Sequence, residues 1–374
     1  MARARPRGVL MTADTVGGVW EYSLDLSRAL ARAGVNVTLA TLGREPSPAQ
    51  RSDAERIPSL TLRTSTFKLE WMPDAWDDVR ESGRWLLDVQ DAVRADIIHL
   101  NGFCHGLLPW APPVLMVAHS CVLSWWQSVR GCSAPSEWNR YRAGARQGLL
   151  SADCVAAPSR WMADEVERLY RVRPVLAIPN GRDTAAGFAT GARKQAVILA
   201  AGRLWDAAKN FRVLDRACAN LSWPVYFAGA AGGPFDERFE PENGIPLGTL
   251  APSELAAWMQ AASIYALPAK YEPFGLSALE AAMCGCALVL GDIPSLRENW
   301  EGAAVFVEPD DHGALRAALE ALIAAPEVRS DLARRAGERA RQFTTRRMAA
   351  GYLSAYAQLL ESGRVPKPRI AASA

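Results

Sequence analysis

The fold is decided by residues 264–284, which read IYALPAKYEPFGLSALEAAMC. Residues 264–268 form a short, continuous apolar run, which predicts a parallel strand buried on both faces. Residues 273–284 are largely apolar and predict a helix, with Pro273 at its first position because proline suits a helix start. The stretch is therefore a strand, a short loop and a helix, the repeating unit of an α/β protein.

The same alternation continues outward in two blocks. The first block predicts strands at 8–14, 36–42, 60–67, 96–100, 113–118 and 154–157, with a helix at 21–33. The second predicts strands at 196–201, 225–228, 264–268, 287–290 and 303–307, with helices at 208–220, 252–262, 273–284, 312–325 and 326–343. Two blocks of this kind predict two doubly wound α/β domains.

A glycine-rich segment divides the two predicted domains. Residues 181–194 are small, polar and without periodicity, so the first domain is placed at 1–181 and the second at 195–343. We expect a further helix at 344–362 to cross back to the first domain, followed by a flexible tail at 363–374.

Composition and charge exclude several classes of protein. Of 374 residues, 49% are apolar and 22% charged, which is typical of a folded globular chain. The formal charge of +2 gives no overall field for nucleic acid, so any anion site must be local. Seven scattered cysteines without a CxxC pair indicate reduced thiols. We expect a cytoplasmic protein, because the chain shows no signal peptide and no apolar run near the ~20 residues that span a bilayer.

The loop before the predicted helix at 273–284 has the chemistry of an anion and sugar site. Pro273 favours an extended Glu272, and the amide groups of Phe274, Gly275 and Leu276 would point outward at an anion. Glu280 follows about two helical turns after Glu272. Two carboxylates beside an amide cradle suit sugar hydroxyls and phosphate. The alternative is a capping role for Glu272 and a solvated face for Glu280.

Two other strand ends carry related features. Arg203 and Lys209 follow the strand at 196–201, where a guanidinium fork and an ammonium charge suit phosphate oxygens. Gly17 and Gly18 separate the first strand from its helix and expose amide groups. A GxGxxG motif is absent there, so a packing turn is an equal alternative.

Together these motifs resemble the retaining glycosyltransferases of family 4, which have the GT-B fold. The resemblance is carried by Gly202-Arg203, by Lys209-Asn210 and by the 272–276 motif (EPFGL) with Glu280. Segments 117–120, 157–159 and 178–181 resemble further signatures of the family, so the likeness covers about residues 8–360. One departure is the interval between Arg203 and Lys209, which holds Trp205 and two alanines.

The resemblance implies two Rossmann-like domains facing a central cleft, the second binding a nucleotide sugar and the first an acceptor. Arg203 and Lys209 would hold the diphosphate, Glu280 the ribose hydroxyls and Glu272 the hydroxyls of the transferred sugar. His119 would lie near the anomeric carbon as a positioning group. The amide groups of Gly17, Gly18, Phe274, Gly275 and Leu276 would complete the cradle.

The implied reaction needs no cofactor and no metal. The chain has no Asp-x-Asp motif, so Arg203 and Lys209 would stabilise the charge that builds on the leaving phosphate. The resemblance implies retention of configuration, with the acceptor attacking on the face that the diphosphate leaves. The leaving phosphate would take the acceptor proton, and no side chain acts as nucleophile. The expected catalytic residues are therefore His119, Arg203, Lys209 and Glu272.

The acceptor is expected to be a sugar, a lipid-linked sugar or a small molecule. Trp125 and Trp126 offer aromatic faces for it, and Asn101 and His105 offer polar groups. The sequence leaves the base open between uridine and guanosine, and it does not determine the oligomeric state. Contact with the inner membrane face is one interpretation of the basic residues near the chain ends, and the alternative is that so few charges have no function: Arg3, Arg5, Arg7, Arg364, Lys367 and Arg369.

Three other functions share these features. An epimerase would bind the same donor without an acceptor. A phosphorylase would need a pyridoxal-binding lysine, for which Lys270 is the only lysine near the loop. A two-domain binding protein would close on a solute without chemistry.

Overall fold

The structure is a computed structural model that describes residues 5–172, 174–183, 193–233 and 238–362. The chain divides into two compact units. Unit 1 comprises Met1–Leu123, Ala134–Gly181 and Thr345–Ala374, and unit 2 comprises Ser124–Ser133 and Arg182–Thr344. The expected tail at 363–374, the basic residues Arg3, Arg364, Lys367 and Arg369, and most of the expected divider at 181–194 lie outside the described residues.

Unit 1 is built on a parallel sheet of seven strands in the order β3-β2-β1-β4-β5-β6-β7. The strands are β1 (Gly8–Asp14), β2 (Asn36–Leu42), β3 (Leu60–Thr64), β4 (Ile97–Leu100), β5 (Val114–Val117), β6 (Cys154–Ala157) and β7 (Val175–Ala177). The register places Met11 of β1 opposite Leu39 of β2 and His99 of β4. Helices cover the sheet: α1 (Gly18–Arg32), α2 (Pro48–Glu55), α3 (Trp76–Val93), α5 (Asn139–Ser151), α6 (Arg160–Tyr170) and α13 (Thr345–Glu361). Helix α4 (Val122–Arg130) begins in unit 1 and continues into unit 2.

Unit 2 has a second parallel sheet, of six strands in the order β10-β9-β8-β11-β12-β13. Its strands are β8 (Gln195–Ala201), β9 (Val225–Ala228), β10 (Ile245–Gly248), β11 (Ala262–Leu267), β12 (Ala287–Gly291) and β13 (Val305–Val307). Its helices are α7 (Phe211–Cys218), α8 (Pro252–Ala261), α9 (Leu276–Met283), α10 (Pro294–Trp300), α11 (His312–Ala324) and α12 (Pro326–Ala340). The predicted class, two doubly wound α/β domains, is confirmed.

Glycine lets two strand ends of unit 2 approach each other. A Cβ atom on Gly229, which follows β9, would lie only 1.7 Å from the carbonyl oxygen of Gly202, which follows β8. Any larger residue would force the two loops apart. The close approach keeps the loop that carries Arg203 tight against the sheet.

A buried histidine ties α13 to the core of unit 1. His99, on β4, is fully buried and lies 3.1 Å from Tyr22 Oη on α1 through Nε2. Its Nδ1 lies 2.6 Å from Tyr356 Oη on α13. Both ring nitrogens therefore have hydroxyl partners, which satisfies a polar side chain inside an apolar core.

The burial of His99 predicts that the protein loses stability in acid. Burial lowers the pKa of His99 from 6.5 to about 3, so the folded protein keeps a neutral ring where the unfolded chain takes up a proton. His99 therefore has little effect on the free energy of unfolding above its unfolded pKa of 6.5, and it lowers that free energy progressively as the pH falls from there toward 3. We expect His99 to lower the free energy of unfolding by about 2 kcal/mol between pH 7 and pH 5. Urea unfolding at both pH values measures it, and His99→Gln should lose this part of the decline while His312→Gln, an exposed control, keeps it. An unchanged decline in His99→Gln would contradict the assignment.

Candidate functional site

The loop between β11 and α9 is held in place by α10. The Ser295 hydroxyl donates to the Glu272 carbonyl oxygen at 2.6 Å, and the Asn299 amide donates to the Phe274 carbonyl oxygen at 2.9 Å. Both donors are buried side chains, so the backbone of the loop has a fixed course.

The expected helix start at Pro273 is wrong, because α9 begins at Leu276 with Gly275 as its N-cap. Gly275 has φ at 90°, in the left-handed region that favours glycine. A Cβ atom there would also lie 3.2 Å from Leu296 Cδ2. The loop thus extends three residues further than predicted and ends on a residue that only glycine suits.

Glu272 joins the loop to Lys209. Its Oε2 accepts from Lys209 Nζ at 2.5 Å, and its Oε1 accepts from the Gly275 amide at 3.0 Å. Both charged side chains are mostly buried, with 17% of Lys209 and 13% of Glu272 exposed. The Gly275 amide therefore points to Glu272 and not outward as expected, because the carboxylate caps the start of α9.

Asp206 holds the other cation of the site. Its Oδ2 accepts from Arg203 Nη2 at 2.6 Å, and its Oδ1 accepts from the Ala208 amide at 3.0 Å. Burial alone would raise the pKa of Asp206, but the Arg203 and Lys209 charges and the Ala208 amide lower it below 3.8. Asp206 is thus an ionised anchor, while 39% of the Arg203 side chain stays exposed.

The two loops of unit 2 are joined through their backbones. The amide groups of Lys270 and Tyr271 donate to the Ala208 carbonyl oxygen at 2.8 and 3.3 Å. Asn210 donates to the carbonyl oxygen of Pro268 at 3.0 Å. Lys209 lies against Glu272, and its amide donates to the Asp206 carbonyl oxygen at 2.9 Å, next to the Arg203–Asp206 pair, so the residues expected to bind a diphosphate and a sugar converge.

Glu280 is buried in an ion pair with Arg182. Arg182 Nε and Nη2 lie 2.7 and 2.6 Å from Glu280 Oε1, and the two side chains are only 5% and 8% exposed. A solvated face for Glu280 is therefore excluded. Sequence reasoning missed Arg182, although it directly follows the 178–181 motif, because it fell in a segment interpreted as a divider.

Trp125, expected to contact the acceptor, lies beside the Arg203 loop of unit 2. Its indole Nε1 donates to Asp206 Oδ1 at 3.4 Å, and the neighbouring Ser124 Oγ lies 2.8 Å from Tyr271 Oη. The Trp126 ring packs edge-on against Trp125 at 5.8 Å. Both tryptophans are half-buried. Within unit 2, Ser124 and Trp125 of α4 thus support the loops that carry Arg203 and Glu272.

In unit 1, the turn after β1 is closed by Asp14. Its Oδ1 accepts from the amide groups of Val16 and Gly17, both at 2.9 Å. Helix α1 begins at Gly18, three residues before the expected start. The Gly17 amide is therefore bonded within its own turn, as the packing alternative anticipated.

His119 follows β5 and is oriented by Asn101. The Asn101 Nδ2 donates to the Thr12 carbonyl oxygen at 2.6 Å, so its Oδ1 faces His119 Nε2 at 2.8 Å as an acceptor. His119 therefore carries its proton on Nε2 and presents Nδ1 as an acceptor. Burial lowers the pKa of His119 to about 3, which keeps the ring neutral. Asn101, expected at the acceptor, serves here to orient this ring.

His105, also expected at the acceptor, lies inside unit 1. It is buried on a short 3₁₀ turn, Cys104–Leu107, with Nε2 2.9 Å from Ser82 Oγ and 3.3 Å from the Val79 carbonyl oxygen of α3. The expectation of a substrate contact is wrong, since α3 covers the ring. No sequence pattern linked α3 to this position.

The Asn101–His119 contact predicts a change in pH dependence. Asn101→Asp places a carboxylate beside the ring, which favours the charged imidazolium and raises the pKa of His119. We expect the variant to lose activity as the pH falls through the range around 6, whereas the wild type shows no histidine limb there. The pH profile of kcat measures this, and Asp53→Asn, at a partly exposed position of α2, is the control. A variant profile identical to that of the wild type would contradict the pairing.

The described part of the chain has neither a cluster of metal-ligating side chains nor a helix suited to a membrane. Within 5–172, 174–183, 193–233 and 238–362 no group of three or more His, Cys, Asp or Glu side chains is arranged to hold a metal ion. In the same part of the chain, no helix combines the length and the apolarity needed to cross a membrane.

Comparison with known families agrees with this division of the chain. The family model described as Glycosyltransferase Family 4 matches residues 16–186, and the model described as Glycosyl transferases group 1 matches residues 195–325. The first match falls mostly in unit 1 and the second within unit 2.

Curated relatives span nearly the whole chain. The chain is 34% identical to the glycogen synthase of Mycobacterium tuberculosis, over 95% of this chain and 94% of the relative. It is 28% identical to the D-inositol 3-phosphate glycosyltransferase of Xylanimonas cellulosilytica, over 91% of this chain and 92% of the relative.

Solved structures share the fold. Sucrose-phosphate synthase from Thermosynechococcus elongatus has a TM-score of 0.78 at 20% identity, covering 96% of this chain and 100% of that one. The Anabaena protein HepE, solved in complex with UDP-glucose, has a TM-score of 0.71 at 16% identity, covering 95% of this chain and 99% of that one. The chain therefore belongs to the family 4 glycosyltransferases, enzymes of the GT-B fold that transfer a sugar from a nucleotide sugar.

Proposed function

We propose that the chain is a retaining, metal-independent glycosyltransferase that moves a sugar from a nucleoside diphosphate sugar to an acceptor hydroxyl. The observation that carries the proposal is the convergence in unit 2 of Arg203, Lys209 and Glu272 on two joined loops. Two cations beside a carboxylate suit a diphosphate attached to a sugar.

The two cations match the charge that develops during the reaction. Cleavage of the sugar–phosphate bond leaves negative charge on the departing diphosphate and positive charge on the sugar ring. Fixed charges already in place stabilise the diphosphate without reorganisation. Asp206 fixes the Arg203 guanidinium through one of its N–H groups, and the partly exposed remainder suits a second, bidentate contact with phosphate.

Glu272 suits the sugar. Its carboxylate accepts hydrogen bonds from the Gly275 amide and from Lys209 Nζ, so its two oxygens have a defined direction. A bound diphosphate would share Lys209 with Glu272, because an ammonium has three donors. Glu272 would then accept hydrogen bonds from the transferred sugar.

The proposed mechanism uses no side-chain nucleophile. The acceptor oxygen attacks the anomeric carbon on the face that the diphosphate leaves, and the departing phosphate oxygen takes the acceptor proton. Neutral His119 accepts a hydrogen bond at Nδ1 and positions a hydroxyl group. Configuration is retained because attack and departure share one face.

For the donor we propose a UDP sugar, supported by the likeness to HepE, with a GDP sugar as the alternative. For the acceptor, the names of the relatives suggest two classes, an inositol phosphate and a glucan, and a lipid-linked sugar is a third. We place the reaction in the cytoplasm, where nucleotide sugars are used.

Incubation with UDP-glucose, UDP-N-acetylglucosamine or GDP-mannose tests the function, with and without each acceptor class. We expect nucleotide release that depends on the acceptor and persists in EDTA. We also expect the NMR signal of the product's anomeric proton to show the same configuration as in the donor. An inverted product or loss of activity in EDTA would contradict retention or metal independence. Altered sugar without transfer would indicate an epimerase, and binding without turnover a binding protein.

A further inference from the structure

We propose that Arg182 determines the selectivity of the nucleotide site for a ribose by fixing the carboxylate of Glu280 in one orientation. The inference rests on the proposed function, in which Glu280 accepts from the ribose hydroxyls. The juxtaposition that carries it is the buried pair of Arg182 with Glu280, which lies on α9, directly after the loop between β11 and α9.

The geometry of the pair fixes the direction of the carboxylate. Two nitrogens of one planar guanidinium, Nε and Nη2, converge on the single oxygen Oε1 of Glu280 at 2.7 and 2.6 Å. A guanidinium held in this way restricts rotation of the carboxylate about its terminal bond. Arg182 therefore restricts the direction of Oε2.

Arg182 is itself anchored to the aromatic packing that contacts the loop between β11 and α9. Its amide donates to the Phe343 carbonyl oxygen at 3.0 Å. The Phe343 ring packs perpendicular to Phe274 at 5.4 Å and lies 6.0 Å from the Trp300 ring. Phe274 immediately precedes Gly275, so the anchor of Arg182 and the start of α9 share one aromatic cluster.

The cost of the pair argues for a role beyond stability. Removing two charges from water offsets much of their attraction, and apolar replacements of buried pairs are often as stable or more stable. A pair of this kind is best explained by the geometry that it fixes. A carboxylate that accepts from neighbouring hydroxyls needs a fixed direction, and a sugar that lacks one hydroxyl leaves that acceptor unsatisfied.

Calorimetry with UDP and 2′-deoxy-UDP tests the inference through the ratio of the two dissociation constants. We expect the wild type to prefer UDP by about tenfold or more, in line with one lost hydrogen bond to a charged group. Arg182→Met should bring the ratio below about two, and Arg182→Lys should give an intermediate value because it keeps the charge without the fork. Arg216→Met, exposed on α7, should keep the wild-type ratio. If UDP does not bind, GDP and 2′-deoxy-GDP replace the pair.

The ratio separates positioning from folding, since a merely weakened fold would lower both affinities alike. If Arg182→Met keeps the wild-type ratio of the two dissociation constants, the inference is overturned. If Arg182→Met does not fold, Arg182→Lys decides, and a ratio equal to that of the wild type overturns the proposal. A wild type without any preference would remove the ribose role of Glu280 as well, while acceptor-dependent transfer would still support the proposed function.

Discussion

Arg203→Ala lowers kcat by about 10²–10³-fold while weakening donor binding far less, because the guanidinium meets charge that is greatest in the transition state. The variant also leaves the buried Asp206 carboxylate without the cation that lies 2.6 Å from it. Steady-state kinetics and calorimetry with the same nucleotide sugar give the two quantities.

Two controls accompany this variant. Arg203→Lys keeps a charge but loses the fork, so it should recover only part of the turnover. Arg216→Ala removes an exposed arginine of α7 and should leave kcat unchanged. Equal losses of kcat and of donor affinity in Arg203→Ala would contradict a role in the transition state.

Glu280→Ala has the largest expected effect on stability. Removing the carboxylate breaks the buried ion pair with Arg182, and breaking a pair of this kind costs about 3–5 kcal/mol. The variant should also bind the nucleotide more weakly, since a hydrogen-bond partner of the ribose is lost. Urea unfolding measures the first effect and calorimetry, well below the unfolding midpoint, the second.

A double variant distinguishes the pair from the site. Arg182→Met with Glu280→Leu removes both charges, so it should recover most of the lost stability but none of the nucleotide affinity. Glu338→Ala, in an exposed pair on α12, should leave the free energy of unfolding nearly unchanged. A Glu280→Ala protein as stable as the wild type would contradict the buried pair.

Continuous apolar runs made the central strands predictable. Strands β1, β2, β6 and β9 begin and end at the expected residues because both of their faces are covered. The strands that were missed, β7 and β10, lie at sheet edges and expose Leu176 and Ile245. These two short strands bury too little apolar surface to leave a signal in the sequence.

The site was predictable as a set of motifs but not as a set of pairs. Arg203, Lys209 and Glu272 were noted at strand ends and given roles by the resemblance to the family, and the structure places them on two joined loops. The Arg182–Glu280 pair joins residues 98 positions apart, so local pattern could not link them. Local pattern could not place His105 inside unit 1 either, because its ring contacts Ser82 of α3, 23 positions away.

A crystal structure of the chain with bound UDP or GDP would show where the diphosphate binds. We expect both phosphates within hydrogen-bonding distance of Arg203 and Lys209, with the ribose against Glu280. A diphosphate bound elsewhere, with Arg203 still bonded to Asp206 and Lys209 still bonded to Glu272, would contradict the proposed donor site.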